Sequence, residues 1–238
     1  MNIPKNIPSR IEEVLNRVNT KLNSDEYKEM ISNKARKNKC PLCDGKGVIY
    51  NSYRKRYSIC KCQRSKNIAR SLSKFNADEL EKTFKNFNDS NLINKNMKNA
   101  TTNYYLRFEN IRNSMSNSFA LLGVAEEERT HLVLALANKF IFNNDVDIEY
   151  ISLKKPLKLG SIHINRCKNV DLLIINDFLE NEESLNNISL FISILKHRSM
   201  KRLPIVISSN INLNNIKVLN EDLYWLIKRM TKGNIFDK

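Results

Sequence analysis

The chain has 238 residues, 41% of them hydrophobic, with five Gly, five Pro and a formal net charge of +15. That length holds one domain of ordinary size plus a smaller module, and so few Gly and Pro argue against long flexible linkers. No run of about 18 apolar residues is present and the opening MNIPKNIPSRIEEVLNRV lacks a signal-peptide core, so no membrane contact is expected and the expected compartment is the cytoplasm.

The charge is uneven. Residues 1–118 carry 24 Lys or Arg against 11 Asp or Glu, and residues 119–238 carry 16 against 14. A basic half joined to a near-neutral half fits an anionic partner, nucleic acid being the usual one; a solvated Lys/Arg surface is the competing reading.

In chain order, Ile11, Val14, Leu15, Val18 and Leu22 recur at helical spacing after a helix start at Pro8-Ser9, and Asp25, Tyr27 and Met30 suggest a second short helix. Cys40-Pro-Leu-Cys43 and Cys60-Lys-Cys62 follow, with 16 residues between the pairs. Gly45 and Gly47 permit a tight turn around a metal. Paired thiolates at this spacing can surround one tetrahedral Zn²⁺, and a closed four-Cys site gives it a structural role; redox thiols are the alternative. Val48, Tyr50, Tyr57 and Ile59 read as the strands of a hairpin. Its tip, Tyr53, Arg54, Lys55, Arg56 and Tyr57, suits single-stranded nucleic acid or an acidic protein surface equally. The lone Cys167 reads as a small core hydrophobe.

Residues 65–82 look helical and basic, and Thr83-Phe84-Lys85-Asn86-Phe87 follows in a polar setting. Residues 97–115 read as a helix with Tyr104, Tyr105, Phe108 and Ile111 on its apolar side. Strand 119–123 then leads to helix 130–142, strand 147–152 and a weaker strand signal over 157–164. Strand 171–175, helix 184–198 (Leu185, Ile188, Leu190, Ile194, Leu195), strand 204–208 and helix 220–230 (Trp225, Ile227, Arg229) complete the pattern. Strands alternating with helices predict a mostly parallel sheet covered on both faces.

Residues 119–140, FALLGVAEEERTHLVLALANKF, follow the frame of a P-loop, G-x-x-x-x-G-K-[ST]. Gly123 and Thr130 match; Glu128 stands at the second Gly and Arg129 at the Lys. Glu126, Glu127 and Glu128 fill the turn whose N–H groups would face phosphate. A carboxylate about 5 Å from a phosphate charge costs roughly 3 kcal/mol at an effective dielectric near 20, while micromolar affinity is worth only about 8 kcal/mol. A strand–turn–helix unrelated to phosphate is the plain alternative. In DLLIINDF, a buried strand delivers Asn176 and Asp177 to the usual Mg²⁺ positions, and Asn176 brings no charge. Asn210, ending the next strand, sits where a polar residue would orient attacking water. Singly these are ordinary strand-end polars; together they fall in the chain order of an NTPase core.

From Cys40-Pro-Leu-Cys43-Asp-Gly-Lys-Gly, Cys60-Lys-Cys62, the Thr83–Phe87 motif, Gly123 with Arg129-Thr130-His131-Leu132, Leu172–Asp177 and Ser208-Ser209-Asn210, the chain resembles bacterial replicative-helicase loaders of the DnaI/DnaC type, whose AAA+ core is shared with IstB ATPases. The cysteine pairs point to the DnaI branch. The resemblance covers about residues 1–230. It implies an AAA+-like α/β fold, a parallel sheet flanked by helices, preceded by a helical, zinc-binding module that grips the helicase. It further implies Asp177 as the second acidic position, Asn210 as the sensor residue and Arg229 as a candidate arginine finger. The segment between strands 147–152 and 171–175 is short for the family and is expected to lack a helix.

The resulting expectation has three parts. Residues 1–66 form a helical, zinc-binding helicase-interaction module, 67–118 a helical linker and basic connecting segment, and 119–238 a degenerate, P-loop-like AAA+ domain. Structural Zn²⁺ is expected at Cys40, Cys43, Cys60 and Cys62. No bound ATP or Mg²⁺ and no catalytic residue are expected. The expected partner is a hexameric replicative helicase, with single-stranded DNA and self-association as further candidates. An inhibitor that captures the host helicase, of phage or mobile-element type, and an active ATP-dependent loader are the competing readings.

Overall fold

A computed structural model describes residues 40–52, 56–63, 75–143, 146–154 and 160–238. The helices read over 8–36, the hairpin tip and most of the basic helix at 65–82 lie outside the described residues. The chain divides into two compact units, Met1–Glu81 and Lys82–Lys238.

In the first unit, β1 (Val48–Asn51) pairs antiparallel with β2 (Arg56–Ile59), Val48 opposite Ile59 and Tyr50 opposite Tyr57. The expected hairpin is present, and it carries the two cysteine pairs at its open end. A short helix, α1 (Ala77–Glu81), ends the unit. It starts on a reciprocal cap: the Asn76 side chain accepts from the Glu79 amide at 2.8 Å, and the Glu79 carboxylate accepts from the Asn76 amide at 2.9 Å, which satisfies two amides left free at a helix start.

The second unit begins with α2 (Leu92–Ile111), then β3 (Phe119–Leu122), α3 (Glu126–Asn143), β4 (Ile148–Ser152) and α4 (Ser161–Asn169). β5 (Leu172–Asn176), α5 (Glu182–Asn186), α6 (Ile188–Met200) and β6 (Ile205–Ser208) follow, and α7 (Leu213–Leu219), α8 (Glu221–Met230) and β7 (Ile235–Asp237) close it. The five strands are parallel, in the order β4-β5-β6-β3-β7. β6 inserts between β3 and β5, so their C-terminal ends form three adjacent posts. Phe119–Leu122, Leu172–Ile175 and Ile205–Ile207 are buried throughout, as expected of parallel strands covered on both faces. α3 buries Leu132, Val133, Leu136, Ala137 and Phe140.

Residues 82–118, read from sequence as connecting chain, pack within this unit. Tyr104 stacks on Phe119 with ring centres 5.1 Å apart, and Phe108 meets Phe140 at 4.5 Å. α2 opens at Leu92 because the Asn91 side chain accepts from the Asn94 amide at 2.8 Å.

The weak strand signal over 157–164 is corrected: Ser161–Asn169 is helical, so the segment ahead of β5 does hold a helix. The Ile162/Ile164 alternation misleads, because Ile162 is 85% exposed. Arg166 instead clamps α4 to β4, its guanidinium bonding Asp147 at 2.8 Å and also Glu149. The helix expected at 184–198 is two helices. Asn181 and Ser184 cap α5 reciprocally, and α6 restarts after Asn187. α7 and β7 carried no sequence signal strong enough to be read.

Candidate functional site

α3 starts at Glu126, not at 130. Three residues, Gly123, Val124 and Ala125, join β3 to it. Gly123 has φ +68°, and a Cβ there would lie 2.3 Å from the Lys238 carbonyl oxygen; this turn needs glycine for both backbone sign and space. Glu126, Glu127 and Glu128 occupy the first helical turn, where carboxylates complement the positive end of the helix. Glu126 also pairs with Lys154 on the turn after β4.

Arg129 points inward and is fully buried. Its guanidinium donates to the Val124 carbonyl at 3.0 Å, the Asp177 carboxylate at 2.9 Å and the Glu180 carboxylate at 2.6 Å. The turn after β5 makes this possible. Asp177 and Leu179 both adopt left-handed backbone, φ +60° and +61°, a costly conformation for non-glycine residues. The turn brings both the Asp177 and the Glu180 carboxylate to α3. The second Asp177 oxygen accepts from Ser152 at 2.9 Å and from the Asn176 amide at 2.8 Å. That amide also donates to the Thr130 hydroxyl at 3.2 Å, while the Asn176 carbonyl accepts from Ser208. The Asn210 backbone amide donates to Glu180 at 2.8 Å, its own side chain lying in solvent.

The fold therefore brings Arg129, Thr130, Asn176, Asp177 and Asn210 into one network at the C-terminal ends of β3, β5 and β6, with Gly123 and Glu128 on its edge. Arg229 is not part of it. Its carbonyl accepts from Ser116 ahead of β3, and its guanidinium donates to Ser199 at the end of α6, at the opposite rim of the sheet. Ser152 and Glu180 were not read from sequence, since nothing local marks a serine or a loop glutamate as a partner of a residue dozens of positions away; Ser208 was read only within the Ser208-Ser209-Asn210 string. Chemically, the Arg129 guanidinium supplies a positive charge that offsets two carboxylates in a buried site.

His131 joins two strings noted separately. Its Nε2 lies 3.0 Å from the Thr83 carbonyl and 3.2 Å from the Asn86 side-chain oxygen. Both neighbours are acceptors, so Nε2 carries the proton. Phe87 meets the ring edge-on at 5.2 Å. Burial lowers the imidazole below its ordinary value, against the Thr83 hydrogen bond.

In the first unit, the four Sγ atoms of Cys40, Cys43, Cys60 and Cys62 lie within 4.8 Å of one another. Cys40–Cys60 and Cys43–Cys62 are both 3.7 Å apart. A tetrahedral ion with bonds of about 2.3 Å to sulfur spaces its ligands about 3.8 Å apart, so the four thiols fit one metal ion. Gly47 donates its amide to Cys43 Sγ at 3.3 Å. The Leu42 backbone amide lowers the Cys40 thiol to about 7, and burial pushes Cys60 up to about 12 and also raises Cys62.

In the parallel sheet, β6 lies between β3 and the acidic-ended β5. No family model matches the chain. It is 24% identical over 186 residues to the phage-like element PBSX protein XkdC of Bacillus subtilis, covering 70% of this chain and 69% of that protein. It is 27% identical over 196 residues to the uncharacterized protein YqaM of the same organism, covering 74% of this chain and 61% of YqaM, so it spans less than two thirds of that relative. Among solved structures it is similar to DnaI (TM-score 0.53, 15% identity, 66% of this chain and 89% of that one). A putative primosome component of Streptococcus pyogenes serotype M3 is likewise similar (TM-score 0.53, 15% identity, 72% and 95%). So is domain III of the Thermotoga maritima replication initiation protein DnaA (TM-score 0.52, 20% identity, 65% and 65%). In fold, this chain resembles DnaI-type primosome components and DnaA AAA+ domains.

Proposed function

We propose that this chain is a replicative-helicase loader, or an adaptor derived from one, that works by binding and without ATP turnover. The resemblance in fold to DnaI and to a primosome component supports the replication setting. The observation that carries the absence of turnover is the buried Arg129 ion pair with Asp177 and Glu180. A phosphate and its Mg²⁺ would have to displace a guanidinium from two carboxylates in a dry site. They would do so beside a turn of three residues followed by three glutamates. Mg-ATP titration by calorimetry tests this, with no micromolar binding expected. Tight binding with turnover abolished by Asp177→Ala would restore the reading as an active, ATP-driven loader.

In this proposal, Cys40, Cys43, Cys60 and Cys62 hold one structural Zn²⁺, and residues 1–66 with that ion grip a hexameric replicative helicase in the cytoplasm. The ion ties together the two strand ends that carry the cysteine pairs. Co-purification of the full chain with candidate helicases tests the partner; failure to retain any of them sinks it. Single-stranded DNA and a second copy of the chain are the further proposed partners.

The likeness to a phage-like element protein favours one second reading, an inhibitor that captures a host helicase. A loading assay on single-stranded DNA separates the two, since a loader raises helicase loading and an inhibitor blocks it.

A further inference from the structure

Three of the seven arginines described in the second unit are ion-paired. Arg112, Arg129 and Arg166 each face a carboxylate. One surface gathers several cations that are not so paired. Among the described residues, no carboxylate pairs with Lys201, Arg202, Lys228, Arg229 or Lys232. These cations belong to one patch. The Arg202 and Arg229 carbonyls accept from the adjacent residues Asn117 and Ser116, and Arg229 bonds Ser199 on α6 at 2.8 Å. Lys201 adjoins Arg202 at the end of α6, and Lys232 lies in the turn that follows α8.

On the same helix stands Trp225, 54% exposed. A large exposed indole on an amphipathic helix is a desolvation liability unless something covers it. Its position is well fixed: Tyr224 meets it edge-on at 5.0 Å, Lys228 Nζ lies 5.2 Å from its ring centre, and its Nε1 donates to Glu221 at 3.3 Å. A held aromatic ring amid unneutralised cations has what an unstacked base and its phosphates need, a π-face and a positive track.

We propose that the α6–α8 surface, with Trp225 as stacking platform and Lys201, Arg202, Lys228, Arg229 and Lys232 as phosphate contacts, binds single-stranded nucleic acid. Duplex fits poorly, because its bases are already stacked and cannot cover an indole. A second copy of this chain is the other occupant the charge pattern could attract, and the test separates it. The inference gives the DNA side of the adaptor reading a location. Its test contains no helicase, so either can fail alone.

Trp225 is the chain's single tryptophan, so its fluorescence reports this surface directly. The full chain is titrated with oligo(dT) of about 15 nucleotides, a length within known single-strand site sizes, while anisotropy of a labelled strand follows binding. Saturable quenching of Trp225 is expected, weakening with salt. Trp225→Ala should weaken binding about fivefold or more by anisotropy. Lys201→Glu/Arg202→Glu/Arg229→Glu should weaken it at least tenfold and flatten the salt slope by about 2, with an unchanged thermal melt. No binding, or binding that leaves Trp225 emission unchanged, overturns the proposal. Equal quenching by a duplex of the same length overturns it as well. So does a concentration-dependent change in emission without DNA that Arg229→Glu abolishes, which would assign the surface to a second copy.

Discussion

The Arg129 guanidinium and the Asp177 carboxylate meet at 2.9 Å with 0% and 1% of their side chains exposed. A charge left unpaired at this depth would be strongly unfavourable, so the two side chains compensate each other. Glu180 completes the arrangement, and its other bond, to the Asn210 amide, ties the turn after β5 to the end of β6. The site is thus a cross-brace between α3, β5 and β6.

Removing the guanidinium should be costly. Arg129→Ala leaves Asp177 and Glu180 facing each other in a dry site, and should lower unfolding free energy by about 3–5 kcal/mol, read from urea unfolding. Arg129→Lys keeps a charge but loses the planar fork that reaches three acceptors. It should be destabilised less and should still bind no Mg-ATP at micromolar concentration, since the glutamates of the first helical turn remain. A loss in Arg129→Ala no larger than that of an exposed substitution would contradict the cross-brace.

Metal analysis of the purified chain should return about one Zn²⁺. Chelation, or Cys60→Ser, should open the hairpin end to limited proteolysis while the thermal transition of residues 82–238 stays in place, because metal coupling to folding is local. Metal-free protein that resists proteolysis equally would refute the assignment.

His131 makes the docking of residues 83–87 on α3 sensitive to pH. Burial lowers its pKa below the ordinary 6.5. As pH falls, the unfolded chain therefore binds the proton before the folded one. The contribution is complete above 6.5, where both states are neutral, and is lost as pH falls from there through the lower folded value. Urea-unfolding midpoints between about pH 7.5 and about pH 5 should fall more steeply for the natural chain than for His131→Gln. The difference isolates this residue from His197, which burial also lowers. Parallel slopes for the two proteins would show that His131 does not couple to folding.

Gly123 and Gly233 both have left-handed backbone, φ +68° and +78°, but only at Gly123 would a Cβ meet neighbouring backbone, at 2.3 Å. Gly233→Ala should cost about 1 kcal/mol from backbone strain alone. Gly123→Ala should cost clearly more, because β7 must move off β3 to admit the methyl. Equal losses in the two variants, measured by urea unfolding, would mean that the close approach is not maintained.

How much of this was legible varies with the range of the interaction. The runs at 119–122, 172–175 and 205–207 read as buried parallel strands because a strand covered on both faces must be apolar at every position. α4, α7 and β7 were missed because little in their own residues selects them. α4 is held by Arg166 reaching Asp147 and Glu149, β7 by pairing with β3, and α7 by the Asn212 cap together with burial of Ile216.

The sequence by itself determined the alternation of strands and helices, the two cysteine pairs that fit one metal ion, and the placing of Arg129, Asn176 and Asp177 at the starts and ends of those elements. These depend on spacing and residue type, which are local. Only the tertiary structure decided where α3 begins and that Arg129 turns inward. It also decided that Asp177 and Glu180, placed by two left-handed residues after β5, receive the guanidinium. Those outcomes depend on which charges share a buried volume, and charges far apart in the chain come together only when the strands are laid side by side.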